Sequence, residues 1–267
     1  MCGSVVLAFV PMPCNAGFDE GVVAYKQGEY AKAMNELLPL AKQGNAEAEI
    51  MLGSMYYQGQ GVEQNRRQAA DWYRKAADQG DAKAQYILGL MHDQGDGVSL
   101  DKQQSAAWLR KAADQGHPGA QFNLGVAYKM GDGIQQDLRQ AFKWFLKAAE
   151  QGHADAQFNI GTIYDEGQDV KQDKQQALAW YKRAAEQGHA DAQFDLGVAY
   201  SQDEGVKQDL LQAVAWFRKA ADQGHAKAQY NLAAMYYRGQ GVKQDKEQAI
   251  LWFRKAAEQG MPMPNLK

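Results

Sequence analysis

All six tryptophans of this chain stand at a single interval: Trp72, Trp108, Trp144, Trp180, Trp216 and Trp252 are each 36 residues apart. The pair Gln-Gly keeps the same step, at 43–44, 79–80, 115–116, 151–152, 187–188, 223–224 and 259–260, without an insertion. Such a period excludes one globule wrapped around one centre. Each unit is too short to enclose a core and must bury its apolar face against its neighbours. The domain question in 267 residues becomes a count of repeats: a shorter unit over 17–44, six full ones at 45–80, 81–116, 117–152, 153–188, 189–224 and 225–260, and a tail over 261–267.

Within one unit, Ala48, Leu52, Met55 and Tyr56 are spaced i, i+4, i+7, i+8 and line one face of a helix, here helix A. Ala69, Trp72, Tyr73 and Ala76 do the same for a second helix, B. Gly59 and Gly61 break helix A, Asp101, Asp137, Asp173, Asp209 and Asp245 are placed to cap helix B, and Gly80 suits a left-handed C-terminal cap. The predicted fold is all-α: a right-handed α-solenoid of about seven helix-turn-helix repeats. The indoles, about 200 Å² each, form a core seam, and the mid-helix glycines Gly53, Gly89, Gly125, Gly161 and Gly197 permit close helix packing.

The stretch from Ala82 to Gly116, "AKAQYILGLMHDQGDGVSLDKQQSAAWLRKAADQG", closely resembles the Sel1-like repeat, a relative of the tetratricopeptide repeat with a longer loop. Its L-G-x-x-Y, G-x-G-V, W and A-A elements recur from Asn45 to Gly260. Tyr25 to Gly44 looks more like an ordinary tetratricopeptide helix pair and is expected to serve as an N-terminal cap. Ala233 for the helix A glycine, His92 for its tyrosine, and Asp169 and Asp203 for loop glycines depart from the pattern.

Little chemistry is encoded. Net charge is -3 with pI near 6.0, which gives no overall field for nucleic acid, and no apolar run reaches the length of a membrane span. His117, His153, His189 and His225 stand one period apart, too far for neighbours to share a metal ion, and are read as polar residues at the start of helix A. The basic ladder from Arg74-Lys75 to Arg254-Lys255 is answered by acids three or four residues on and is read as a solvated face. Nucleophile elbow, Walker loop, zincin and dinucleotide motifs are all missing. The chain is expected to be non-catalytic, with no cofactor and no metal.

Binding is the stronger expectation. One helix A position reads Asn123, Asn159, Asp195 and Asn231, each preceded by an aromatic residue. Asparagine joins a donor to an acceptor and can hold an extended peptide backbone. In the related tetratricopeptide repeats, helix A lines the concave surface and the matching asparagine often holds peptide. The resemblance therefore implies a partner-binding face of Asn123, Asn159, Asp195 and Asn231, with Tyr57, Asp93, Lys129, Asp165 and Tyr237 adjusting specificity. Expected partners are a protein or peptide, with a cell-envelope component as one candidate.

Residues 1–16 carry no charge and hold both cysteines, Cys2 and Cys14, and an apolar run broken by Pro11 and Pro13. They read as a signal or an apolar segment, so the chain is expected to be an exported adaptor, periplasmic or secreted, with a cytoplasmic regulatory scaffold as the alternative. Cysteine-rich exported members of the family have been linked to β-lactam turnover, which makes a β-lactam or cell-wall hydrolase the competing function.

Overall fold

The computed structural model describes residues 16–167 and 170–264. Residues 1–15, and with them both cysteines and nearly all of the expected signal segment, lie outside the described residues, as do Asp169 and the last three residues of the tail. Fourteen α-helices follow in order: α1 (Ala16–Lys26), α2 (Tyr30–Lys42), α3 (Ala46–Gln58), α4 (Arg66–Asp78), α5 (Ala82–Gln94), α6 (Lys102–Asp114), α7 (Pro118–Met130), α8 (Leu138–Glu150), α9 (Ala154–Glu166), α10 (Lys174–Glu186), α11 (Ala190–Gln202), α12 (Leu210–Asp222), α13 (Ala226–Arg238) and α14 (Lys246–Glu258). There is no strand among the described residues. The helices gather into two compact units: α1 through Ala120 with 132–134, and 121–131 with 135 onward.

The helix ends are set locally. Asn65 and each of the five anticipated aspartates sit in extended backbone ahead of helix B and accept a hydrogen bond from a first-turn amide, satisfying a donor the helix leaves open. Helix A stops on a left-handed residue, Gly59, Gly95, Gly167 and Gly239 in four copies. In α11 the stop is Asp203 at φ 60°, the only non-glycine with positive φ among the described residues. Its carboxylate accepts from the Gln208 amide at 2.9 Å. Local hydrogen bonding lets Asp hold the αL conformation that the repeat normally gives to Gly.

Packing inside a hairpin depends on the mid-helix glycine. A Cβ on Gly53 would come within 2.7 Å of the Tyr73 ring, and one on Gly197 within 2.5 Å of Phe217. Ala233 breaks this rule and is nevertheless fully buried. There the facing Phe253 ring meets Tyr230 at 70°, against 35° to 47° for the corresponding pairs of α7, α9 and α11. The aromatic turns to accept a methyl group.

Between hairpins, the indoles point back toward the preceding pair. Trp216 packs with Ala177, Ala184 and Leu196, and Trp252 with Ala213, Ala220 and Leu232. Five of the six are buried; Trp72 is half-buried against the α2–α3 cluster. Burial of one indole contributes on the order of 5 kcal/mol gross.

The basic ladder lies on the exposed face and meets the indoles there. Lys75, Lys111, Lys147, Arg183, Lys219 and Lys255 each lie over the tryptophan three residues earlier, at 3.8 to 4.6 Å from the ring centroid. A cation on an indole face gains about 0.5–1 kcal/mol, more than an exposed i, i+4 ion pair.

A half-buried amide ladder ties the two ends of each hairpin from α5 onward, an exposed glutamine donating to a buried one. Gln115 donates to Gln85, Gln151 to Gln121, Gln187 to Gln157, Gln223 to Gln193 and Gln259 to Gln229, at 2.7 to 2.9 Å. The inner glutamine in turn donates to the preceding repeat, as Gln193 does to the Ala185 carbonyl at 3.0 Å. The glutamine of each Gln-Gly marker from Gln79 onward thus has a structural task. In the first copy the inner residue is Glu49, which accepts from Gln79 at 2.7 Å. Burial pushes its carboxyl above the ordinary value, opposed by Lys75.

Candidate interaction site

The proposed face is built where the end of one helix A meets the start of its helix B and the next helix A. Asn123, Asn159, Asp195 and Asn231 all lie in the second unit, on α7, α9, α11 and α13, and all are half-buried. Asn159 donates to the Asp155 carbonyl of its own helix at 2.8 Å, which uses one of its two amide hydrogens.

Two cavities open on this face at the same place in successive repeats. The first, about 280 Å³, lies among α9, α10 and α11 and brings together Thr162, Asp165, Glu166, Lys174, Tyr181, Asp195 and Glu204. The second, about 430 Å³, lies among α11, α12 and α13 and brings together Ser201, Gln202, Leu210, Phe217, Asn231, Arg238 and Gln240. Adding 36 to Asp165, Glu166, Lys174, Tyr181, Asp195 and Glu204 gives Ser201, Gln202, Leu210, Phe217, Asn231 and Gln240. One slot is acidic, with four carboxylates around one lysine, and its copy is neutral but for Arg238.

Asp195 is the perturbed group. Burial first, then the charges of Asp191 and Asp165, push its carboxyl up to about 7, with Lys227 opposing. It sits where the neighbouring repeats carry Asn, a residue of the same shape without charge.

The specificity candidates divide. Asp93 accepts from Lys102 at 2.8 Å, and Lys102 lies 4.0 Å from Asp132 of the next loop. Asp165 accepts from Lys174 at 2.7 Å, and Lys174 lies 3.5 Å from Glu204. Tyr57 donates to Asp96 at 2.7 Å, and Arg66 binds the same carboxylate at 2.7 Å. Tyr237 lies under Lys246, 5.5 Å from ring centroid to ammonium. Lys129 is half-buried at the end of α7, where its carbonyl accepts from Gln136 at 2.8 Å. Tyr57, Asp93 and Asp165 are therefore clasped within the chain by the first residue of helix B, and the cation of each clasp is held by both carboxylate and hydrogen bond.

These clasps are not apparent from helical spacing. One arm of each has a sequence signal, a separation of 30 shared by Arg66–Asp96, Lys102–Asp132 and Lys174–Glu204 and by every rung of the glutamine ladder, whereas Lys102 and Asp93 are 9 apart. Among the described residues no group of three His, Cys, Asp or Glu side chains is placed to hold a metal ion, and no helix is long and apolar enough to cross a membrane.

The Sel1 repeat profile matches the chain at 46–81, 82–117, 118–153, 154–189, 190–225 and 226–261. The chain belongs to the Sel1 repeat family. Proteins of Sel1 repeats generally act as protein-interaction scaffolds and are generally non-catalytic. The chain is similar to a Sel1 repeat protein from Oxalobacter formigenes, at 35% identity over 91% of this chain and 97% of that one, with a TM-score of 0.79. It is also similar to c5321, a protective antigen of uropathogenic Escherichia coli strains with the same repeat fold. That match has 35% identity, covers 93% of this chain and 62% of that one, and has a TM-score of 0.59. No curated protein sequence matches the chain. The solenoid architecture and the 36-residue unit are those of the family.

Proposed function

We propose that the protein is an exported, non-catalytic adaptor whose helix A face holds an extended segment of a partner protein, with a basic side chain of that partner entering the α9–α11 cavity. The carrying observation is the pair of cavities at equivalent places, each including the residue of the Asn series, Asp195 in one and Asn231 in the other. Partner groups docked one repeat apart meet different chemistry: carboxylates first, amides and Arg238 second. A cation would lower the cost of keeping Asp195 ionised, because its carboxyl is held up by burial and by like charge. Export is supported by the uncharged apolar stretch over 1–16. Loss of that stretch from the mature chain, read by intact mass, is the expected outcome.

The binding test replaces the acidic slot with the residues of its own copy: Asp165→Ser, Glu166→Gln, Asp195→Asn and Glu204→Gln. All four incoming residues already occupy the same positions one repeat later, so the fold is expected to persist, as checked by circular dichroism. On an array of extended ten-residue peptides, binders of the natural chain should contain Lys or Arg, and the variant should lose at least about tenfold in affinity for them. Unchanged binding of the same peptides by the folded variant would remove the acidic slot from the site.

A second reading is hydrolysis of a β-lactam or of cell-wall material. The observation favouring it is a carboxyl titrating at about 7 in a cavity with three other acids, the pairing that general acid–base chemistry uses. Turnover of nitrocefin or peptidoglycan that survives rigorous purification and disappears in Asp195→Asn would establish it over the adaptor reading.

A further inference from the structure

Four of the helices begin at a histidine whose ring does the work of a capping side chain. Nδ1 of His117 accepts from the Ala120 amide at 3.2 Å, His153 from Ala156 at 3.4 Å, His189 from Ala192 at 3.2 Å and His225 from Ala228 at 3.1 Å. In α3 and α5 the same bond is made at 2.8 Å by Asn45 and Asp81. Each imidazole also lies flat on an aromatic ring of the preceding helix A. Tyr86–His117, Phe122–His153, Phe158–His189 and Phe194–His225 have centroids 4.4 to 4.7 Å apart. One ring therefore ties the start of a helix to the repeat before it.

An Nδ1 that accepts must carry no proton, which places the single hydrogen of the neutral ring on Nε2. Adding a second proton turns the acceptor into an N–H facing another N–H. It also sets a positive charge at the positive end of the helix dipole. Asn45 makes the same cap without any titrating group.

The four rings differ in what stands opposite Nε2. Asp155 is 3.3 Å from His189, and Asp191 is 3.1 Å from His225, so a protonated ring in either place is met by a carboxylate. Asp195 and Lys227 line the same hollow as His225. The residue in that register, 34 positions earlier, is Lys83 for His117 and Gly119 for His153. The charged groups acting on His117 are Asp81, which caps α5, and Lys83 of its first turn, and on His153 the Asp155 of its own first turn. Burial holds both of these rings below the ordinary 6.5.

We propose that the histidines form a graded, pH-responsive set of helix caps, in which acidification weakens the seating of α7 and α9, capped by His117 and His153, more than that of α11 and α13, where Asp155 and Asp191 face Nε2 and offset the charge of the ring. The sign follows from linkage. Below about 6.5 the unfolded chain takes up protons at His117 and His153 while the folded chain lags, so stability falls with pH until the folded rings titrate as well.

Urea midpoints of the full chain across about pH 7.5 to about pH 5 test this, comparing the natural protein with the double variants H117N/H153N and H189N/H225N. Asparagine keeps the cap, as Asn45 does. The His117/His153 pair should carry a fall of about tenfold in the ratio of folded to unfolded chain, absent from H117N/H153N and retained in H189N/H225N. Equal pH dependence in all three proteins would overturn the proposal. Nitrogen-15 NMR of the natural chain provides an independent reading that needs no variant to fold. At about pH 7.5 all four rings should carry hydrogen on Nε2, and His117 and His153 should titrate below their values in the denatured chain. A proton on Nδ1 of His117 or His153 would overturn it as well.

Discussion

The α9–α11 and α11–α13 cavities are the same slot made twice, and they differ in almost every group that carries charge. Tyr181 and Phe217 form equivalent walls against Gly161 and Gly197. Around that common frame, Asp165, Glu166, Asp195 and Glu204 become Ser201, Gln202, Asn231 and Gln240, and Lys174 becomes Leu210. Shape is set by the tryptophans, alanines and glycines that recur every 36 residues, while chemistry is set by positions left free to vary. A repeat protein of this kind can change what a slot recognises without changing how the slot is held.

The frame should be by far the more sensitive part. Phe217 is 2% exposed, and Phe217→Ala is expected to cost about 3–5 kcal/mol in urea unfolding, whereas Tyr181→Phe, which keeps the ring, should change stability by less than about 1 kcal/mol. Comparable losses would mean that the two walls are not held alike. Next in size is Asp195→Asn, which makes the acidic slot resemble its copy at one position. Because the folded carboxyl titrates at about 7 against an ordinary 3.8, ionising it destabilises the fold as pH rises through that window. The variant should be more stable by about 1–2 kcal/mol at about pH 8, and the gain should vanish near pH 4, where the natural carboxyl is protonated. A gain independent of pH would assign the effect to shape instead of charge. Smallest is Lys174→Met, which opens the Asp165–Glu204 clasp and mimics Leu210. A partly exposed ion pair of this kind contributes about 0.5 kcal/mol, and the difference should shrink in about 1 M salt.

Much of the frame could be read from residues alone, because it is written in short-range spacing. Apolar positions at i, i+3 and i+4 define both helices. Asp101 and its copies cap helix B as their placement before it implies, and the mid-helix glycines meet a facing side chain. Contacts between repeats were harder to read. Lys102–Asp132 and Lys174–Glu204 join residues 30 apart in successive repeats, and each glutamine rung joins the two ends of one hairpin over the same separation, which no single helix spans. Charge pairs on one helix are conspicuous in a sequence, whereas the contact of each cation with the indole three residues back is not. In the candidate site, the Asn series was found by its period. That Asp195 shares a hollow with Asp165 and Glu204 depends on three helices meeting, which no single helical pattern encodes.

The inner glutamines also govern how one repeat is joined to the next. Gln85, Gln157, Gln193 and Gln229 each donate to an alanine carbonyl of the repeat behind, at 3.0 to 3.1 Å, so these four joints are built alike. Deleting or duplicating a whole 36-residue module would bring matching surfaces together again, whereas a single inserted amino acid would misalign them. Chain length in such a protein is therefore counted in modules, like links in a measuring chain, and its reach can grow or shrink without any new joint having to be invented.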